Sequence, residues 1–199
     1  NRIMDVIEQT PQHQYQVLTK RPEVMLEYSQ GRKFPDNFWA GVTIESDRHT
    51  DRADTLRQVD ARIRFISAEP LLSSLTELDL DGIHWIITGG ESGNHLHDKS
   101  LNQRRGLAER NGAKVWRPRS DRIDWIRELR DKCSASGVAF FHKQWGGPTP
   151  HAAGRELDGR AWDEFPAYTK VGAWENRYRE ELAPSIDTNQ LGLFAIAGE

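Results

Sequence analysis

The sequence predicts an α/β protein built on a parallel sheet, and three observations carry that prediction. Five short apolar runs of strand length recur along the chain, and amphipathic helical patterns lie between them. The first four runs begin roughly 20 to 25 residues apart, the ordinary spacing of βα units.

The predicted strands are Tyr15 to Thr19, Phe38 to Thr43, Ile63 to Ser67, Ile83 to Thr88 and Val138 to His142, each rich in β-branched or aromatic residues. A helix over Pro22 to Gln30 opens with proline in its first turn, where the missing N–H is harmless. Asp47 to Val59 reads as a polar amphipathic helix. Ser120 to Ser136 reads as a helix that starts on a capping serine and lines Ile123, Ile126, Leu129 and Cys133 along one face for docking on a sheet. Two architectures satisfy this pattern: a doubly wound open sheet, and a (β/α) barrel, complete or partial.

About Asn94 to Arg119 the regular spacing breaks. The segment is polar, shows no strong strand, and reads as an elaborated loop. Beyond Gly146 the chain turns Gly/Pro-rich, with a hairpin expected at Asp158-Gly159 and a wrapping tail after it. The domain reading is therefore 1–147 for the strand-and-helix unit, with the elaborated loop at about 94–119, and 148–199 for a C-terminal wrapping extension.

Composition narrows the function classes. Mean hydropathy is −0.73 and no run approaches the ~20 apolar residues of a spanning helix, so no membrane role is expected. Net charge is −3, which excludes a uniformly basic binder and permits a local patch. The single cysteine, Cys133, excludes a disulfide framework and any cysteine-built metal centre within this sequence, and makes the cytoplasm the expected compartment. The chain opens on Asn1 with what reads as the end of a helix, so a truncated N-terminus is expected and no secretory signal is read there.

Polar or special residues follow every strand: Thr19-Lys20-Arg21-Pro22, Thr43-Ile44-Glu45-Ser46, Ala68-Glu69-Pro70, Gly89-Gly90-Glu91-Ser92-Gly93 and His142-Lys143-Gln144-Trp145-Gly146. Both architectures bind ligands at the carboxyl ends of parallel strands. Lys20, Arg21, Glu45, Glu69, Glu91 and Lys143 would converge there. Against this stands the ordinary solvation of loops, which explains any one of these charges but not charges at all five tips. The Gly89-Gly90 pair permits close backbone approach to a ligand, or merely a tight turn, and matches neither phosphate-binding glycine motif.

Three further motifs have both a bland and a functional reading. His95 and His97 are exposed loop histidines or, with a carboxylate, ligands of a metal-dependent TIM-type hydrolase. Residues 102–122 hold seven cations, Arg104, Arg105, Arg110, Lys114, Arg117, Arg119 and Arg122, against Glu109 and Asp121, a local +5. With Trp116 among them they form either a solvated surface or a phosphate- and base-contacting patch for nucleic acid. Cys133 is read as a buried small hydrophobe, and no serine elbow exists.

Six segments taken in order, LTKRPE, FWAGVTIES, RFISAEPLL, IHWIITGGESG, WIRELRDKCSASGVAFFHKQWGG and GRELDGRAWDEFP, resemble the phage and prophage gp thirty-seven/gp sixty-eight family, a domain of unknown function, over about residues 1–166. That family resembles radical S-adenosylmethionine proteins. The resemblance implies a partial TIM-like barrel whose N-terminal strands are missing here, with a [4Fe–4S] cluster held by an upstream three-cysteine motif that this chain lacks. It implies that Thr43, Glu45, Glu69, Gly89 and Gly90 lie near S-adenosylmethionine, with Lys20, Arg21, Glu91 and Lys143 on the substrate side. A nucleoside or nucleic acid is the expected substrate. A non-catalytic phosphate- or nucleic-acid-binding remnant is the alternative.

Overall fold

The computed structural model describes residues 2–167 and 194–195. Along the chain run α1 (Arg2–Gln9), β1 (Tyr15–Thr19), α2 (Pro22–Gly31), β2 (Phe38–Thr43), α3 (Asp51–Arg57), β3 (Ile63–Ala68) and β4 (Trp85–Gly89). After these come α4 (Lys99–Arg105), β5 (Ala108–Arg110), β6 (Trp116–Pro118), α5 (Ile123–Ser136), β7 (Ala139–Gln144) and β8 (Phe194–Ala195).

Six strands form one sheet in the order β7-β4-β3-β2-β1-β8, and each adjacent pair is parallel. From β1 to β7 the order never reverses. Alternation along each strand sends Ala40, Val42, Ile66, Ala68, Ile86 and Phe140 to one face, where they pack with Met25, Leu56, Ile126, Leu129 and Cys133 of the helices. The opposite face carries Trp39, Ile63, Phe65, Trp85, Ile87 and Phe141, with no helix residue among them. An unreversed order with helices on one face excludes a doubly wound arrangement for these strands. No closed barrel forms among the described residues.

Sequence and structure differ at several boundaries, each for a local reason. The predicted fourth strand begins two residues late, at Trp85, because the Ile83 N–H is turned back onto the Leu80 carbonyl. The predicted Asp47 helix divides into a 3-10 turn, Asp47–His49, and α3. Ser120 is not the cap of α5: that helix starts at Ile123, Arg122 occupies the cap position, and Gly137 ends it with φ +66°. The elaborated loop, expected to lack a strand, contains α4 and the antiparallel hairpin β5–β6. Asp98 caps α4 by accepting from the Leu101 N–H at 2.8 Å.

The hairpin at Asp158-Gly159 forms as expected, with φ +54° and +80° at the two turn residues and Leu157 bridged to Arg160. Its continuation wraps the free edge of β7. His142 donates its N–H to the Trp162 carbonyl at 2.9 Å, and Glu164 donates to Phe140 at 3.1 Å. Unpaired edge groups are thereby satisfied, which removes a template for strand addition. Phe165 then turns onto the helix-free face against Trp85 and Phe141, with ring centroids 5.0 and 5.6 Å away. The remainder of the predicted tail, apart from the β8 backbone, lies outside the described residues. No helix among the described residues is long and apolar enough to cross a membrane.

Candidate strand-end binding site

On the helix-free face the side chains change character along the strands. The middle is aromatic, with Trp39, Phe65, Trp85 and Phe141. One or two alternate positions further, the same rows present Lys20, Thr43, Glu45, Ser67, Glu69, Gly89 and Lys143. The result is a polar layer at the carboxyl ends, set above an apolar floor. Gly41 belongs to the floor: a Cβ there would fall 2.1 Å from the Phe65 ring, so only glycine lets that ring cross β2.

The polar layer is paired by sign. Lys20 Nζ bonds one Glu45 oxygen, while Arg52 Nη1 holds the other at 2.9 Å and donates to the Thr43 carbonyl at 2.7 Å. Burial pushes the Glu45 carboxyl up, but Lys20, a backbone hydrogen bond and Arg52 outweigh it, so the group stays below the usual carboxylate range. Across β4, Lys143 Nζ lies 3.2 Å from Glu69 Oε2, and Gln144 Nε2 donates to Glu69 Oε1, also at 3.2 Å. Gln144 reaches Ser92 Oγ as well, at 3.1 Å. Both carboxylates are half-buried or more, whereas Lys20 is exposed and Lys143 partly so.

The structure brings together Lys20 with Glu45 and Lys143 with Glu69. Two other sequence candidates go elsewhere. Glu91 turns toward His95 Nε2 at 3.0 Å and Arg105 Nε at 2.5 Å, and Arg21 lies exposed beside Glu23 at 3.7 Å. The Gly89-Gly90 backbone is already engaged: Gly89 accepts from the Leu71 N–H at 2.9 Å, and Gly90 donates to Gln144 at 2.9 Å. A Cβ on Gly90 would stand 2.0 Å from the Trp145 carbonyl oxygen. This pair serves close packing of the β4 and β7 loops.

Arg52 and Gln144 are site residues that sequence reasoning passed over. Gln144 was in plain view within the strand-end segment of β7. Arg52 lies seven residues beyond Glu45, and only the intervening 3-10 turn returns it to β2.

The histidines diverge: His95 faces Glu91, while His97 meets the Trp116 ring edge-on at 6.0 Å. Among the described residues no group of three His, Cys, Asp or Glu side chains could hold a metal. Cys133 is fully buried on α5, and burial, reinforced by Glu164, pushes its thiol up to about 12. One cysteine, buried between α5 and the sheet, supplies too few thiolates for a [4Fe–4S] cluster, so the residues of this chain do not fit the iron–sulfur cluster.

His142 lies beneath the site on the helix side, fully buried. Its Nδ1 is 2.9 Å from Thr88 Oγ1, and its Nε2 has no conventional partner. The ring meets Trp145 in a T-shaped contact, with centroids 4.5 Å apart. Burial first, and the charge of Arg155 second, hold its pKa at about 3 against an ordinary 6.5. Below pH 6.5 the unfolded chain therefore takes up a proton that the native chain refuses. Stability is full above that pH and falls by about 1.4 kcal/mol per pH unit below it. Half-buried His84, also shifted downward, adds to the same trend. Urea midpoints at pH 7 and pH 5 should show the fall, and His142→Asn, which keeps a partner for Thr88, should lose most of it. An unchanged slope in that variant would contradict a neutral buried imidazole.

Residues 1–115 and 112–166 match the family described as "Protein of unknown function (DUF5131)". The two segments meet at the turn of the β5–β6 hairpin. No curated protein and no solved structure matches the chain. With most of its length matched, the chain belongs to the DUF5131 family of proteins of unknown function.

Proposed function

We propose that this chain is the strand-end part of a phage-type, radical-SAM-like protein that holds S-adenosylmethionine over the wall of a partial (β/α) barrel and acts on a nucleoside or nucleic acid. The observation that carries the reading is the polar layer of alternating charge above an aromatic floor. S-adenosylmethionine carries an ammonium, a carboxylate, a sulfonium and a flat base. Glu45 and Glu69 suit the cationic groups and ribose hydroxyls, and Lys20 and Lys143 suit the carboxylate.

Each lysine reaches inward from solvent to its carboxylate, so a ligand ammonium can replace it without leaving a buried charge unpaired. Arg52 and Gln144 keep Glu45 and Glu69 oriented during that exchange. The protein's task is then to fix the cofactor and the substrate and to exclude water. A binding-only module is the second reading, favoured by the absence of any cluster-ligating cysteine in this sequence.

The test is a calorimetric titration of S-adenosylmethionine into the chain. Saturable binding is expected, weakened about tenfold, or about 1.4 kcal/mol, by Glu69→Gln. Heats of dilution alone would overturn the reading.

A further inference from the structure

Seven cations crowd residues 102–122, and the fold sorts them into two kinds. Arg119 and Arg122 are buried: Arg119 holds Gln103 and Asp121, and Arg122 donates to the carbonyls of Gln103 and Gly106. Arg105 is committed to Glu91. Arg104, Arg110, Lys114 and Arg117 remain exposed. Of these, Arg117 is partly neutralised by Glu109 at 3.3 Å, while among the described residues the Arg104 side chain bonds Ser100 Oγ and that of Arg110 the Lys114 carbonyl, neither of them charged.

Register places Arg110 directly opposite Trp116, so a guanidinium and an indole share one face of the hairpin. That face adjoins the strand ends. A Cβ on Gly147 would sit 3.3 Å from the Trp116 ring, and Gly147 in turn exchanges hydrogen bonds with Glu91 and Gly93 at 3.0 and 2.8 Å. A continuous path therefore leads from the cations past Trp116 to the loop that carries Ser92 and Glu91.

We propose that the α4–β5–β6 insertion is an arm for single-stranded nucleic acid, with Arg104, Arg110 and Lys114 on phosphates and Trp116 beside a base. The argument for a single strand is the indole: a base can lie beside Trp116 only when it is unstacked from any duplex. Where that strand leads rests on the proposed function; the contact itself does not.

The test is fluorescence anisotropy of the full chain with labelled single strands of about a dozen nucleotides, one RNA and one DNA, at two salt concentrations. Three phosphate contacts give a log–log salt slope of about −2, so affinity falls roughly twentyfold when salt rises fourfold. Arg110→Ala and Lys114→Asn should each flatten that slope by about 0.7, and Arg117→Ala should do so least. Asparagine tolerates the φ of +63° at position 114, so loss of binding there is not loss of fold. Absent binding, an unchanged slope in both variants, or equal displacement by poly-glutamate would each overturn the proposal. Binding of oligonucleotide without S-adenosylmethionine sinks the proposed function alone; the converse sinks the arm alone.

Discussion

Gly90→Ala is expected to destabilise the chain by at least about 3 kcal/mol, the upper end for overpacking. The methyl group would be driven to within 2.0 Å of the Trp145 oxygen and 2.6 Å of its carbonyl carbon. Those are backbone atoms, and they cannot swing aside as a flexible side chain does. The same loop is fixed from the other direction, since a Cβ on Gly146 would lie 2.1 Å from the Glu91 oxygen and Gly146 holds φ at +79°. Relief would separate the β4 and β7 loops and break the Gln144 bridge to Glu69 and Ser92. Gly112→Ala is the control, with nothing within 4 Å of the added methyl; it should stay within about 0.5 kcal/mol. Urea midpoints of the two variants decide the matter, and equal midpoints would refute the packing account.

Arg122→Ala carries the second large effect, about 3 kcal/mol. The guanidinium closes the carboxyl end of α4, with Nη1 donating to Gly106 at 2.8 Å and Nη2 to Gln103, and it stacks over Trp125 at 5.0 Å. Burial lowers its pKa from the usual arginine value, with Arg119 adding to the fall, yet it stays charged at any physiological pH. Removing it leaves carbonyls unmet in a buried place, each at a cost of roughly 1–3 kcal/mol. Because α4 carries Arg105, loosening its end also releases Glu91. Arg122→Lys should recover less than half of the loss, since one ammonium cannot span the carbonyls that a fork spans. Chemical denaturation of both variants measures this, and full recovery by lysine would show that charge alone matters.

Much of this fold was legible because parallel strands buried on both faces read as unbroken apolar runs. Phe38–Thr43, buried at every position, came out at its true bounds for that reason, and Tyr15–Thr19 did so although its residues are only half-buried. The insertion was not legible. Its strands are three residues each and rich in charge, and what steadies them, the Arg119 N–H on the Leu107 carbonyl and the close approach of Gly147 to Trp116, is announced by no local pattern. Arg122 misled in the same way: in sequence it is one more cation in a basic run, and only tertiary packing reveals a structural cap. At the site, the five polar tips were visible, but their partners were not. Alternation assigns Glu69 and Lys143 to one face, yet the pairing skips the intervening strand, and it is the small Gly89 there that leaves room. A Cβ at Gly89 would lie 3.0 Å from the Glu69 carboxyl carbon.

Hydrogen exchange by mass spectrometry, with and without S-adenosylmethionine, tests the central claim most directly. The account predicts slowed exchange in four separate segments, around 43–46, 69–72, 89–93 and 143–147, while the β5–β6 turn is unchanged. No protection at saturating ligand, or protection confined to residues away from the strand ends, would contradict it.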